Sequence, residues 1–544
     1  MSLLVQKQDE TKNRSKLVNR DNLYFVGLLI AAIALYTSNL GELPLRDWDE
    51  GIVAGVARNI WRAAPESQTW LYPTINYGEP YWNKPPLVHW LVALSYSLFG
   101  VSEWSTRLLP ALLSACSVPL LYKIGREVFP TPSTAVLSAL VYLNLLPIAR
   151  HSRVAMLDGV ITFWLCGAIF CLLRGRKHFL WLLGTGLGIG MISMTKGIMM
   201  GLLLGIIILV FAYWDNPRLP RNTYLWIGLA IGMMPPIVWY GLQYSHYGHE
   251  FLGISLGKQT FNRIWEPVSR ASSPPWYYLL EIAKYTLPWL IFLPKGIKLA
   301  INNSHLTWSK LTLTWSGIYL LAISLMATKL PWYVIPIYPA LAILVGQSLA
   351  VAWQRQSQKS NWKIYLSLVA MVCWVGGSWY SLIYLTSGSD FSLAVILIVV
   401  SVIFTIAALL MWLYSRYFIV VLIAGFYLSL MLLFNSNNWL WELNETFPAV
   451  PVAQKIKEYT PPQHHVFSSY PNHRPSLEFY SDRVITPTSD QEIQLLWQHN
   501  QPTYLLVDQA AIDRLGLKSY QKLGDDGDDV TWQLITQAHN ASLK

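Results

Sequence analysis

Lys84-Pro85-Pro86-Leu87-Val88-His89-Trp90-Leu91-Val92-Ala93-Leu94-Ser95-Tyr96-Ser97-Leu98-Phe99 is the stretch on which the topology turns. It holds one of fourteen apolar runs, which begin near residues 23, 86, 106, 132, 156, 178, 197, 223, 276, 309, 331, 363, 390 and 416. A bilayer span takes roughly 20 apolar residues. If all fourteen cross, the basic loops around Lys123/Arg126 and Arg174/Arg176/Lys177 face outward, against the tendency of such loops to stay inside. The run at 85–99 is short and opens on two prolines. Read as a helix lying at the interface or re-entering, it leaves thirteen spans. Every basic segment then falls inside: the N-terminal tail, Lys123/Arg126, Arg174/Arg176/Lys177, Arg218/Arg221, Lys295/Lys298, Arg355/Lys359/Lys363 and Arg416. The same parity puts residues 436–544 outside.

Composition agrees with lipid as the solvent for most of the chain. Of its 544 residues 53% are hydrophobic and 13% charged, against about 25% charged in soluble domains. The 26 Trp and 30 Tyr suit wide interfacial belts. The net charge of +10 sits largely in short loops between apolar runs, so topology accounts for it and no nucleic-acid partner is called for. Cys116, Cys166, Cys171 and Cys373 all fall in apolar runs, which argues against a disulfide framework or a zinc site. A basic tail, with Lys7, Lys12, Arg14, Lys16 and Arg20, precedes the apolar stretch 23–40 and reads as a retained signal anchor.

The expected fold class is an α-helical polytopic membrane protein with a small C-terminal α/β domain. Residues 1–22 form a cytoplasmic tail. Residues 23–435 form the membrane domain, with a first outer loop at 41–105 carrying interfacial helices. Residues 436–544 form a soluble extracytoplasmic domain, in which Val466-Phe467, Val484-Ile485 and Tyr504-Leu505-Leu506-Val507 alternate with helical patterns. Asp525-Asp526-Gly527-Asp528-Asp529 reads as a hairpin turn; its spacing does not match a calcium loop.

With this topology the remaining charges near membrane depth gather on the outer side: Asp49/Glu50, Lys84, Arg107, Arg150/Arg153/Asp158, Lys196, the stretch from His246 to Arg263, and Lys329. Ionisable groups at such depths are costly and commonly line a functional cavity. Each has a bland reading. Asp49 and Glu50 suit the N-terminus of the amphipathic helix that follows them, the lysines can snorkel to the interface, and Arg150, Arg153 and Asp158 can form a structural salt bridge. The sharper reading makes Asp49 a general base and the cations a phosphate site. Lys84 precedes a Pro-led helix start, where a cation is disfavoured unless an anion joins it; Lys196 before Gly197 and Lys329 before Leu330-Pro331 repeat the pattern. A divalent metal is the one cofactor that the residues suggest, with His246, His249 and Glu250 at i, i+3 and i+4 on one helical turn as its ligands.

Six motifs together resemble the phospholipid-carrier-dependent glycosyltransferases, which include the aminoarabinose transferase of lipid A and the protein O-mannosyltransferases. They are Trp48-Asp49-Glu50-Gly51, Tyr81-Trp82-Asn83-Lys84-Pro85-Pro86-Leu87, Arg107-Leu108-Leu109-Pro110, the run from His151 to Asp158, Thr195-Lys196-Gly197, and the run from Lys329 to Pro336. The resemblance covers roughly residues 20–350. It implies the GT-C membrane fold with an active site at the outer leaflet. It implies catalytic acids at Asp49, with Glu50 beside it, and at Asp158, and a donor-phosphate lysine at Lys84. Arg107, Arg153, Lys196 and Lys329 complete the expected phosphate-binding set. In the aminoarabinose transferase a Glu precedes the lysine, and it and a later histidine are associated with a metal. Asn83 replaces that Glu, and Gln259 stands near the histidine position.

The expected activity is transfer of a sugar from a polyprenyl-phosphate donor to a lipid, glycan or protein acceptor, among membrane lipids, with inversion at the anomeric carbon. Localisation is expected to be a bacterial inner or plasma membrane with the site outside. The alternative class, a polyprenyl-lipid or glycolipid transporter, predicts charges near mid-span and repeat symmetry; neither is visible in the sequence.

Overall fold

The computed structural model describes residues 2–75, 78–267, 273–355, 361–387, 390–439, 449–462, 464–498, 503–524 and 532–537. The acidic run 525–529 and Lys359 lie outside them. Contacts divide the chain into two compact units. The first takes Met1–Leu40, Trp82–Val88 and Leu108–Trp439; the second takes Gly41–Tyr81, His89–Arg107 and Leu440–Lys544.

The first unit is helical. Among the described residues, seven helices of the chain are long and apolar enough to cross a membrane: Glu103–Val128, Leu157–Gly175, Ile198–Asp215, Thr223–Tyr247, Pro331–Gln354, Trp362–Thr386 and Phe391–Trp412. Leu87–Phe99, Pro132–Leu143 and Phe418–Phe434 are apolar but shorter. At 1.5 Å per residue, Leu87–Phe99 is about 20 Å long, less than the roughly 30 Å of a hydrocarbon core. The sequence pattern predicts one continuous helix for the run beginning near residue 276. It is instead broken into Tyr277–Tyr285, the single turn Trp289–Ile291 and Leu293–Asn302. Pro288 and Pro294 stand at the breaks, where a proline ring lacks the N–H that a continuing helix needs.

Glycines set the closest approach in this unit. A Cβ at Gly186 would lie 2.0 Å from the Leu229 nitrogen, and one at Gly190 would lie 1.8 Å from the Gly232 carbonyl oxygen. Gly186/Gly190 on Trp181–Lys196 thus face Gly228/Gly232 on Thr223–Tyr247 with backbone against backbone, the packing small residues permit between apolar helices. This contact fixes the helix that ends in Lys196.

The second unit is α/β. Strands β1 (Thr74–Ile75) and β2 (Glu79–Pro80) pair as a short antiparallel ribbon. The main sheet holds β3 (His465–Ser468), β4 (Val484–Pro487), β5 (Tyr504–Asp508), β6 (Tyr520–Lys522) and β7 (Trp532–Gln537). Its order is β4-β3-β5-β7-β6. The first three strands are parallel and β7 is antiparallel to its neighbours. Two apolar cores sandwich the sheet: Val452, Ile456, Val466, Leu477 and Leu506 in one, Ile493, Leu505, Val507, Ile512 and Ile535 in the other. The alternation of Val466, Leu505 and Leu506 between these cores is the period-two pattern of a sheet covered on both faces. Helix Asp49–Arg62 belongs to this unit. A Cβ at Gly51 would lie 2.6 Å from the Ser476 nitrogen, so only glycine lets that helix meet helix Pro475–Ser481 so closely.

Candidate active site

Within the first unit, five of the segments singled out by sequence are joined by one polar chain. Asp158 stands in the first turn of Leu157–Gly175, and Lys196 ends Trp181–Lys196. Each charge is at the favourable end of its helix dipole. The Lys196 ammonium donates to Asp158 Oδ1 at 2.5 Å and lies 4.9 Å from the centre of the Tyr333 ring. The Tyr333 hydroxyl accepts from Arg263 Nη1 at 2.9 Å, while its carbonyl accepts from the Tyr319 hydroxyl. Arg263 Nη2 donates to Gln259 Oε1 at 2.5 Å, and Gln259 Nε2 donates to Asn83 Oδ1 at 3.1 Å. The chain thus ends one residue from Lys84, which is half-buried. Trp82 packs edge to face on Tyr247, with ring centres 5.2 Å apart.

Three cations of the expected phosphate set are placed differently. Lys196 does not open a helix: it closes one, and Gly197, at φ 107°, carries the chain into the next. Lys329 donates to the Met326 carbonyl at the end of helix Thr307–Leu325, and burial lowers its pKa from the ordinary lysine value. Arg153 is fully buried. It donates to the Leu35 and Ser38 carbonyls at 2.8 and 2.5 Å and lies over the Phe434 and Trp439 rings. Arg150 donates to the Trp439 carbonyl at 2.8 Å. Both arginines act as struts, because a guanidinium's donors are directional and these are spent on carbonyls.

In the second unit, Asp49 opens its helix from a strained turn. Trp48 has φ 65° and ψ −88°, and the Asp49 amide donates to the Asp47 carbonyl at 3.1 Å. A γ-turn of this hand is rare and costly for a bulky residue. It is held from both sides. Asp47, buried, accepts from Arg474 Nη1 at 2.8 Å, from the Ser476 hydroxyl at 2.8 Å and from the Ser476 amide at 3.2 Å. Glu50 Oε2 accepts from the Arg46 amide at 2.9 Å. Arg107 forks onto both Glu50 oxygens at 2.8 Å and also donates to the Leu43 and Pro44 carbonyls. Both side chains of the Glu50–Arg107 pair are 0% exposed. Expected as a catalytic acid and a phosphate ligand, they are instead tied to each other, and their geometry is that of a brace for the loop. Asp49, by contrast, is partly exposed.

Sequence reasoning missed Asp47, Tyr333 as an aromatic platform, and Arg474. Three acids within Asp47-Trp48-Asp49-Glu50 were the available signal for the first. Nothing local marks Arg474, whose partner lies 427 positions away.

Residues 28–246 match the family model described as dolichyl-phosphate-mannose-protein mannosyltransferase. An undecaprenyl phosphate-α-4-amino-4-deoxy-L-arabinose arabinosyl transferase of Pseudomonas fluorescens is 29% identical over 278 residues, 50% of each chain. One of Shewanella sediminis is 26% identical over 60% of each chain. The chain thus spans about half the length of the curated relatives it matches. The crystal structure of ArnT from Cupriavidus metallidurans bound to undecaprenyl phosphate superposes with a TM-score of 0.76, at 20% identity, over 95% of this chain and 98% of that one. The fold is GT-C. An archaeal oligosaccharyltransferase, AglB from Archaeoglobus fulgidus, shares it at a TM-score of 0.54 and 12% identity, over 90% of this chain and 69% of that one. In sequence this GT-C chain is related to the aminoarabinose transferases and the protein mannosyltransferases, and it is an integral membrane protein.

A metal fits poorly here. Asn83 and Gln259 are neutral amides in contact with each other, and the Arg263 cation is bonded to one of them; zinc takes His, Cys and carboxylate ligands. Nor do His246, His249 and Glu250 share a helical turn. Gly248, at φ 66°, ends helix Thr223–Tyr247, and His249 and Glu250 start another. His246 packs on Tyr247 and His249 on Tyr244. Among the described residues no group of three His, Cys, Asp or Glu side chains gathers to hold a metal ion.

Proposed function

We propose that this protein is an inverting glycosyltransferase that moves a sugar from a polyprenyl-phosphate donor to a lipid, glycan or protein acceptor at the outer face of a bacterial inner membrane. The observation that carries the reading is the polar chain from Asn83 through Gln259, Arg263, Tyr333 and Lys196 to Asp158. It gathers cations and a carboxylate from segments far apart in sequence, as a charged leaving group requires. The GT-C fold and the undecaprenyl-phosphate-dependent relatives favour the same donor class.

In this reading Lys84 and Lys196 neutralise the donor phosphate as the glycosidic bond breaks. Asp158 orients Lys196. Asp49 takes the proton of the acceptor hydroxyl, and with one base and no covalent intermediate the anomeric carbon inverts. Thirteen crossings, with the broken segment Tyr277–Asn302 counted as one of them, leave residues 1–22 inside and 436–544 outside and satisfy the positive-inside rule best. The test is sugar transfer from extracted polyprenyl-phosphate donors by purified protein, run beside Lys84→Ala. The variant is expected to lose turnover by about a hundredfold or more. A folded wild-type protein that turns over no lipid donor, across a broad acceptor panel, defeats the reading.

A further inference from the structure

The second unit holds a cavity of about 660 Å³, within the range of small-molecule sites, roughly 300–1,000 Å³. It opens at the carboxyl ends of the parallel strands, where Ser469 follows β3, Thr488 follows β4 and Asp508 ends β5. The sheet order explains why a crevice forms there. From β3 the chain crosses through helix Pro475–Ser481 to β4 on one side, then through helix Asp490–Gln498 to β5 on the other. Parallel sheets leave room for a ligand where the crossovers diverge in this way.

The lining identifies the class of ligand. Tyr470 and Trp532 meet edge to face with ring centres 5.5 Å apart and form an aromatic corner. Around them stand the hydroxyls of Ser469, Thr488 and Ser489 and the carboxylate of Asp508. Among the described lining residues the cation is Arg514, and it is paired with Asp490 through two bonds of 2.8 and 3.0 Å. Asp490, Asp508 and Arg514 sum to one negative charge, which disfavours a phosphate. The loop after β3, Ser469-Tyr470-Pro471-Asn472, also lacks the glycines of a phosphate-binding turn. Apolar ring faces beside acceptor oxygens suit a molecule with C–H faces and a rim of hydroxyls.

We infer that this cavity binds a neutral pyranose unit and, resting on the transferase reading above, that the sugar belongs to the acceptor. The wall of the cavity bears on the Asp49 segment of the same unit. The Arg474 guanidinium lies 3.8 Å from the centre of the Tyr470 ring and is bonded to Asp47, two residues before Asp49. A sugar seated on Tyr470 therefore steadies the arginine that holds the strained turn.

Saturation-transfer difference NMR on the full chain in detergent tests this, with methyl glycosides of glucose, galactose, mannose and N-acetylglucosamine and with inorganic phosphate as competitor. At least one glycoside is expected to receive magnetisation at its ring protons, and phosphate is expected not to displace it. Trp532→Ala removes the aromatic wall. Ser469→Trp fills the cavity without touching the core, so a folding defect in the first variant is distinguished from loss of the site. Both are expected to abolish the signal and to raise acceptor KM about tenfold at unchanged donor KM. No glycoside signal with folded wild type, a signal intact in both variants, or displacement by phosphate overturns the site. Binding without any turnover from lipid donors defeats the transferase reading and leaves the site standing. Turnover with unchanged acceptor KM in both variants removes the acceptor role.

Discussion

Glu50–Arg107 and Asp158–Lys196 are both buried pairs of a carboxylate and a cation, with closest distances of 2.8 and 2.5 Å. In the first, a planar guanidinium takes both carboxylate oxygens and two backbone carbonyls, and neither side chain is exposed. In the second, an ammonium makes one bond to the carboxylate, lies over an aromatic face and keeps 9% of its side chain exposed. The forked pair is saturated and rigid. The single-bond pair can take a further anion, because an ammonium has three donors and only one is spent on Asp158. On the function proposed above, paired charge serves shape in one unit and chemistry in the other.

The comparison breaks most sharply at Asp49 and its neighbour. Asp49→Asn is expected to lower transfer by about 10²–10⁴-fold with an unchanged melting temperature; retained turnover removes Asp49 as the base. Glu50→Ala should show the opposite emphasis, since it strands Arg107 without its partner. Loss of one member of a buried pair costs about 3–5 kcal/mol, seen as a lower midpoint in thermal unfolding of the detergent-solubilised protein. Lys196→Ala should cut kcat about 10²–10³-fold with a smaller thermal penalty than Glu50→Ala, and a penalty as large makes the two pairs equivalent.

The smallest effect concerns pH. Burial alone would raise the Asp482 pKa, but the Arg62 hydrogen bond and the Arg58 charge hold it below the ordinary carboxylate value. A depressed carboxylate adds stability that is present above its unfolded pKa and lost as pH falls through the folded one. Thermal midpoints taken from neutral pH into the acid range should therefore fall further in wild type than in Asp482→Asn. With Asp482 more than a third exposed, solvent screening keeps the difference modest.

Most of the helices were legible in the sequence because apolar runs are local. That the run near 276 is broken was not legible, because mean apolarity hides what two prolines do to a helix. The parallel strands were legible as short β-branched runs. Their order was not, since strand neighbours are set by crossovers and not by composition. Of the candidate site, Asp158, Lys196 and the Asn83-Lys84 segment were visible as charges or motifs at helix ends. That Arg153 would be spent on carbonyls, and Arg107 on Glu50 and two carbonyls, was not visible, because a buried strut and a phosphate ligand use the same residue type. Helix Asp49–Arg62 was read as part of the membrane domain, and its amphipathic pattern says only that one face is buried. Gly51, against Ser476, records what buries it.

The Asn83–Gln259 bridge has a consequence for the conditions in which the protein works. A joint made by an ion is only as dependable as the supply of that ion, and it dissolves when a competitor or a scavenger withdraws it. A joint of two amides, locked by Arg263, is encoded in the chain itself and is present in every copy from the moment of folding. The loop beside Lys84 is therefore expected to keep its register when a chelator strips divalent ions, and transfer that falls on adding the chelator overturns this.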